Sequence, residues 1–231
     1  MGFKGGIKKA YLNFLSDRKN IIFGLSIFFI PFIYELFGHM GVEKNIIPYT
    51  LSPSLTIYMQ NLIGTDGVAA YLASYYYFFI YLFVISGLAF IIFFSRKPWV
   101  YALAILLALT VESVIYIFFP LAPPVRTGAA VPIRINIFHL SDNFVALKYS
   151  AFPSGHIMIS FLGFLFSKKE NFKKCEIFYL ANTLIMSFIV IYLGEHYLID
   201  IFGGILLALL SFKTASYIHQ NMIWVYKPKI Y

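Results

Sequence analysis

Residues 68–94 read VAAYLASYYYFFIYLFVISGLAFIIFF, a run without one charged side chain. About 20 consecutive apolar residues carry a helix across the roughly 30 Å hydrocarbon core of a bilayer, so this run predicts a transmembrane helix. The whole composition agrees: of 231 residues, 60% are hydrophobic, 20% aromatic and only 12% charged. A soluble domain of this length has too little interior to hide so much apolar surface. The expected class is therefore an all-α, polytopic membrane protein built as one compact membrane domain.

Outward from that run, five more apolar stretches predict spans: about 21–39 (with Pro31 inside it), 99–119, 153–167, 176–193 and 196–219. Six transmembrane helices put both termini on one side. Residues 1–20 read as a basic arm, 21–222 as the membrane domain and 223–231 as a tail. The segment 40–67 is mixed, and Tyr49, Leu51, Leu55, Ile57, Tyr58 and Leu62 suit part of it to the interface. The connection 120–150 is long, moderately polar and proline-containing.

Basic residues sort by side. The arm, the Ser95–Pro98 turn, the 168–174 loop and the tail share one face, while Lys44, Arg126, Arg134 and Lys148 fall on the other. By the positive-inside rule the first face, with both termini, is cytoplasmic. The net charge of +8 thus reads as a topology signal, and no basic helix or aromatic platform points to nucleic acid. One cysteine, Cys175, excludes an internal disulfide. The first apolar run is too long for a signal-peptide core, and no small-residue cleavage site follows it.

Two short motifs carry chemistry: Ala151-Phe152-Pro153-Ser154-Gly155-His156 and Gly194-Glu195-His196-Tyr197-Leu198-Ile199-Asp200. Each opens an apolar run at the outer end of its predicted helix, so the site is expected to face outward. Placed on a helix, His196 and Asp200 share one face, one turn apart. The carboxylate can then accept the Nδ1 proton and leave Nε2 as nucleophile or base. A buried His–Asp pair that only glues helices is the bland alternative, although ionisable groups within spans are usually functional. Ser154 can be an ordinary N-cap. The same helix end can also hold phosphate oxygens on its free amides, with Gly155 allowing close approach and His156 acting as general acid.

Together these motifs resemble the type 2 phosphatidic acid phosphatase superfamily of integral-membrane enzymes over roughly residues 115–210. The wording of Pro120-Leu121-Ala122-Pro123-Pro124 and Glu195–Asp200 is similar to the inositol phosphorylceramide synthase branch. The resemblance implies a phosphohistidine mechanism, with His196 as nucleophile, Asp200 as its orienting partner, His156 as acid, and Ser154 and Gly155 on phosphate oxygens. It implies no metal and no cofactor. The pattern also departs from the family. The first motif is disrupted, since Arg126 and Arg134 are separated by seven residues and Ile135 stands where proline is expected; Ile189 and Val190 replace the Ser-Arg of the third motif. Arg126, Arg134 or Lys148 would have to supply the missing phosphate contact, or else be solvated loop charges.

Glu112, inside the third span, either lines the polar cavity or bonds another helix as a neutral acid; Tyr197 flanks His196 as a supporting residue, and Glu195 either supports it too or is simply an exposed residue of the short outer turn. Glu35 and His39 read as an interfacial pair, His139 as structural, and His219 as remote from the site. Gly203, Gly204 and Ala208 are expected to press the sixth span against the fourth. The function expected is a phosphatase or phosphotransferase acting on a lipid phosphate, pyrophosphate or phosphodiester, with water or a polar alcohol as acceptor. The localisation expected is the plasma membrane, and the oligomeric state is open. The rival is a membrane protein that binds or transports phosphate or lipid without catalysis.

Overall fold

A computed structural model of the chain describes residues 49–139 and 150–225, the side chains of 222–225 excepted. The expected first span at 21–39, the basic arm, residues 226–231 of the expected tail, Glu35, His39 and Lys148 lie outside the described residues, and 223–225 of that tail continue the last helix. Within them the chain is all-helical: α1 Ser54–Ile63, α2 Val68–Phe94, α3 Pro98–Phe118, a 3-10 turn Pro124–Arg126, α4 Ile133–Phe138, α5 Gly155–Glu170, α6 Lys173–Tyr192 and α7 Leu198–Val225. No strand occurs among these residues, only two isolated bridges that join Leu121 to Tyr49 and to Ser150.

Four helices are long and apolar enough to cross a membrane: α2, α3, α6 and Leu198–Asn221 of α7. Their bounds follow local chemistry. α2 starts after Gly67, and Pro98, which brings no N–H, occupies the first turn of α3. α5 differs from the other expected spans. Its 16 residues reach only about 24 Å, short of the ~30 Å core, and Lys168, Lys169 and Glu170 fill its last turn. α5 is nonetheless the centre of the bundle, packed against α2, α3, α6 and α7.

Burial runs opposite to that of a soluble protein, as a lipid-embedded bundle requires. Phe78, Phe79, Leu82 and Phe83 of α2 and Leu180, Leu184 and Phe188 of α6 are exposed, whereas polar groups are turned inward. The Tyr76 hydroxyl donates to Asn182 Oδ1 at 2.8 Å and Asn182 Nδ2 donates to Ser160 Oγ at 2.7 Å, linking α2, α6 and α5. α1 follows the same rule: Leu55, Tyr58 and Leu62 are exposed, while Gln60 is buried and bonds both backbone groups of Val131 and the Tyr192 carbonyl. It thereby fastens the segment after the 3-10 turn to the end of α6.

Two turns place the site. At the end of α6 the Glu195 N–H bonds the Val190 carbonyl and the Gly194 N–H the Ile191 carbonyl, the two bonds of a Schellman closure. Gly194 has φ +76°, and a Cβ there would lie 2.7 Å from Val125 Cγ1. Glycine is required on both counts. The second turn ties the outer loops together: the Tyr49 N–H donates to the Pro120 carbonyl and the Ala122 N–H to the Tyr49 carbonyl, both at 2.9 Å, and the Ala151 N–H donates to the Leu121 carbonyl at 3.0 Å.

Candidate active site

α5 begins at Gly155 with Ser154 as its N-cap residue, but the Ser154 hydroxyl makes no capping bond and, though fully buried, has no hydrogen-bond partner among the described residues. A helix leaves its first amides without intrahelical partners, so the head of α5 keeps its donors open. Ser154 is held from behind, its N–H donating to the Asp200 carbonyl at 3.0 Å. The small residues of α7 make this approach possible. A Cβ at Gly204 would meet the Ser154 carbonyl at 2.6 Å, and one at Gly203 would meet Phe152 at 2.5 Å.

α7 starts at Leu198, two residues later than the span expected from 196. His196 therefore stands ahead of the helix, not on its face. The cause is Asp200: its Oδ2 accepts the Tyr197 N–H at 2.7 Å, the reach-back bond of a capping box, which makes Tyr197 the cap. The His–Asp relation is corrected with it. His196 Nδ1 lies 2.7 Å from the Ala151 carbonyl oxygen and 3.5 Å from Asp200 Oδ2. A carbonyl only accepts, so Nδ1 is the donor in this contact, and in the neutral ring the lone pair falls to Nε2. A main-chain carbonyl thus lies closer to Nδ1 than the carboxylate does. Asp200 Oδ1 is buried without a hydrogen-bond partner among the described residues.

His156 and His196 face each other with ring centroids 6.4 Å apart. His156 is held in a column of rings: Tyr77 at 4.4 Å and Tyr81 at 4.5 Å, both from α2, with the Arg134 guanidinium 4.5 Å above the Tyr77 ring. Arg134 donates through Nε and Nη2 to Glu195 Oε1, both at 2.9 Å, and this pair is largely buried. Burial alone would lower the Arg134 pKa, but the Glu195 carboxylate and then Tyr77 outweigh it, so the value ends above that of a free arginine. Arg134, Glu195, His156 and His196 thus form one cluster.

The other expected residues fall around it. Glu112 is fully buried beneath the head of α5, where a Cβ at Gly155 would lie 2.6 Å from Glu112 Oε1. The Tyr116 hydroxyl is 2.8 Å from that oxygen and 2.9 Å from the Pro153 carbonyl, so Glu112 and Tyr116 support the Pro153–Gly155 turn from α3. Arg126 closes the 3-10 turn whose Val125 N–H donates to the Gly194 carbonyl, one turn of chain from His196. Tyr197 packs with Leu121 and Ala151, and burial raises its pKa. Its hydroxyl accepts the Leu51 N–H at 3.4 Å, a structural use. Among the described residues no three His, Cys, Asp or Glu side chains converge.

A family model described as the PAP2 superfamily matches residues 54–214, well over half of the chain, from α1 into α7. The chain belongs to the PAP2 superfamily. No curated protein and no solved structure matches it. As a PAP2 protein with four membrane-length apolar helices, it is an integral membrane enzyme of the phosphatase or phosphotransferase type. Within the PAP2 match, Tyr77, Tyr81, Tyr116 and the Ala151 carbonyl are site groups that sequence reasoning missed. The two tyrosines of α2 are four residues apart, one face of a helix, yet lie among equally aromatic neighbours. A carbonyl leaves no sequence signal at all.

Proposed function

We propose that this PAP2 protein transfers a phosphoryl group from a lipid phosphate, pyrophosphate or phosphodiester through a phosphohistidine. The observation that carries the reading is the His196 Nδ1 contact with the Ala151 carbonyl, 2.7 Å, which in the neutral ring puts the lone pair on Nε2, with the His156 ring 6.4 Å away. Nε2 attacks phosphorus as the phosphorus–oxygen bond to the leaving group breaks; His156, held neutral in the free protein by burial, His196 and Arg134, passes to that oxygen a proton taken up with the substrate. Asp200 offsets the positive charge that forms on the His196 ring. Then water or an alcohol gives a proton to His156 and attacks phosphorus, breaking the nitrogen–phosphorus bond. The open amides at the head of α5 and the Arg134 guanidinium suit the phosphate oxygens. Arg126 and Lys148 are further candidates for that contact.

The site lies at one end of an apolar bundle, where a headgroup meets its helices while the acyl chains stay in lipid. Basic residues Arg96, Lys97, Lys168, Lys169, Lys173 and Lys174 lie at the opposite end, which favours a site facing outward from the plasma membrane. The likeness of Glu195–Asp200 and Pro120–Pro124 to the inositol phosphorylceramide synthases favours an alcohol acceptor such as inositol or ceramide.

The test is phosphate release by purified protein in detergent from phosphatidate, phosphatidylglycerol phosphate and isoprenyl pyrophosphate, beside His196→Ala. A transfer assay with labelled phospholipid and inositol runs in parallel. Activity in either that vanishes in the variant, with acid-labile label trapped on wild-type protein, is the expected result. Full activity in folded His196→Ala, or silence in both assays, overturns it.

A further inference from the structure

At the other end of the bundle from the two histidines, some 20 Å along α5 from His156 to Lys169, lies a cavity of about 70 Å³. Lys97, Lys169, Tyr101, Ser216, His219 and Gln220 contribute its polar groups. This volume exceeds the space a single water needs. Three independent features give it one electrostatic character.

The first is His219. It is 91% buried (9% exposed), and neither ring nitrogen has a hydrogen-bond partner among the described residues. Its ring packs edge-on against Trp99 at 4.5 Å, which fixes it in the cavity wall. A neutral imidazole always carries one N–H, and a buried donor without an acceptor is costly. The second feature is the pair of lysines, which make no ion pair among the described residues. The third is the N-terminus of α3, a 21-residue helix that starts beside Lys97 with no side-chain cap. Its positive dipole end borders the cavity through Val100 and Tyr101.

The nearby acceptors are in part engaged. Glu170 accepts the Tyr101 hydroxyl at 2.6 Å, and the Ser167 and Lys168 carbonyls at the end of α5 accept the Phe172 and Asn171 amides. What lines the cavity, among the described residues, is two exposed lysines without ion pairs, a buried imidazole without a hydrogen-bond partner and the positive dipole end of α3, whose Pro98 brings no N–H and whose Val100 N–H is spent on the Lys97 carbonyl. An oxyanion with several acceptor oxygens satisfies all of these at once. We infer that this cavity is a second, non-catalytic site for a phosphate-class anion. That anion is either the headgroup of an anionic lipid in the leaflet opposite the active site or free phosphate. The inference stands independently of the reaction proposed above.

Trp99 supplies the test, because it touches His219. In Trp224→Phe protein it is the sole tryptophan. His196→Ala is added so that no lipid is consumed and the catalytic histidine contributes nothing. Inorganic phosphate is titrated into this protein in detergent against sodium chloride of equal ionic strength. The same fluorescence is then read in phosphatidylcholine nanodiscs with and without phosphatidic acid. A saturable Trp99 response to phosphate identifies the free anion as ligand, and a response only to the phosphatidic acid discs identifies the lipid headgroup. In either case Lys97→Gln/Lys169→Gln weakens the midpoint about tenfold. Both lysines are exposed, so the double variant keeps the fold. No response to either probe, or a response unchanged in the double variant, overturns the inference.

Discussion

His196 has two acceptors for one proton, and their ranking has a consequence that can be measured. Where a carboxylate alone fixes the tautomer of a catalytic histidine, replacing it with the amide is severe, roughly 10⁴-fold in the serine-protease triad. Here the Ala151 carbonyl, 2.7 Å from Nδ1, holds the tautomer whether or not Asp200 is charged. Asp200→Asn keeps an oxygen to accept the Tyr197 N–H and loses only the offset of ring charge. We expect it to lower kcat by about 10–100-fold, or some 1.4–2.8 kcal/mol, while His196→Ala abolishes turnover. Equal loss in both variants would mean that Asp200 sets the tautomer after all. Glu195 and Arg134 make a second residue-scale prediction. The carboxylate occupies two donors of the guanidinium expected to grip phosphate, so Glu195→Gln frees them. Inhibition by inorganic phosphate should tighten several-fold in Glu195→Gln and weaken about tenfold in Arg134→Gln. An inhibition constant that moves in neither variant would reduce the pair to a structural strap. Neither relation was legible in the sequence, where Glu195 stands beside His196 and Arg134 is a phosphate contact or a loop charge, with nothing to pair the two.

Among the elements, the clear outlines were those bounded by residues with strong local rules. α2 matches the apolar run 68–94 because Gly67 and the Ser95–Pro98 turn leave no choice, and α3 starts at Pro98 for the same reason. α4, only six residues, has no periodicity to read, and α7 starts late because a side chain four residues beyond His196 caps it. Tyr77 and Tyr81 stayed hidden for another reason: lipid-facing Phe78 and Phe79 look the same in composition, and only packing tells which face meets His156. The small residues of α7 were legible, and their contact is tight. A side chain at Gly204 would enter the Ser154 carbonyl and the first turn of α5, both of which are backbone and cannot swing aside. Gly204→Leu should therefore push α5 from α7, separate the two histidines and abolish activity. Gly204→Ala should cost about 1–3 kcal/mol of stability with a partial loss of kcat. Activity and thermal unfolding measured on the same preparations separate these effects. Near-normal kcat in folded Gly204→Leu would show that the α5–α7 contact does not set the catalytic distance.

At the scale of the molecule, composition alone is enough to assign a membrane bundle, because no soluble arrangement hides a chain that is 60% hydrophobic. Which end faces which compartment rests on the arrangement of charge. Arg96, Lys97, Lys168, Lys169, Lys173 and Lys174 gather at the ends of α2, α5 and the start of α6, whereas the site end carries Arg126 and Arg134, the latter neutralised by Glu195. A cationic end is retained on the cytoplasmic side during insertion, so the histidines should lie outside. That orientation fits a substrate whose phosphate leaves into the external water, and it makes a prediction independent of any assay of catalysis. Cys175 is the one native cysteine, so Cys175→Ser gives a blank background. Into it go Ala129→Cys, on an exposed position of the loop beside the site, or Lys174→Cys, exposed at the head of α6. In intact cells a membrane-impermeant maleimide should label Ala129→Cys at once and Lys174→Cys only after permeabilisation. The reverse pattern would place the histidines inside and turn the substrate search to the cytoplasmic leaflet. It would leave the residue-scale chemistry untouched, because the His156–His196 geometry depends on α5 and α7 and not on the direction in which the bundle was inserted.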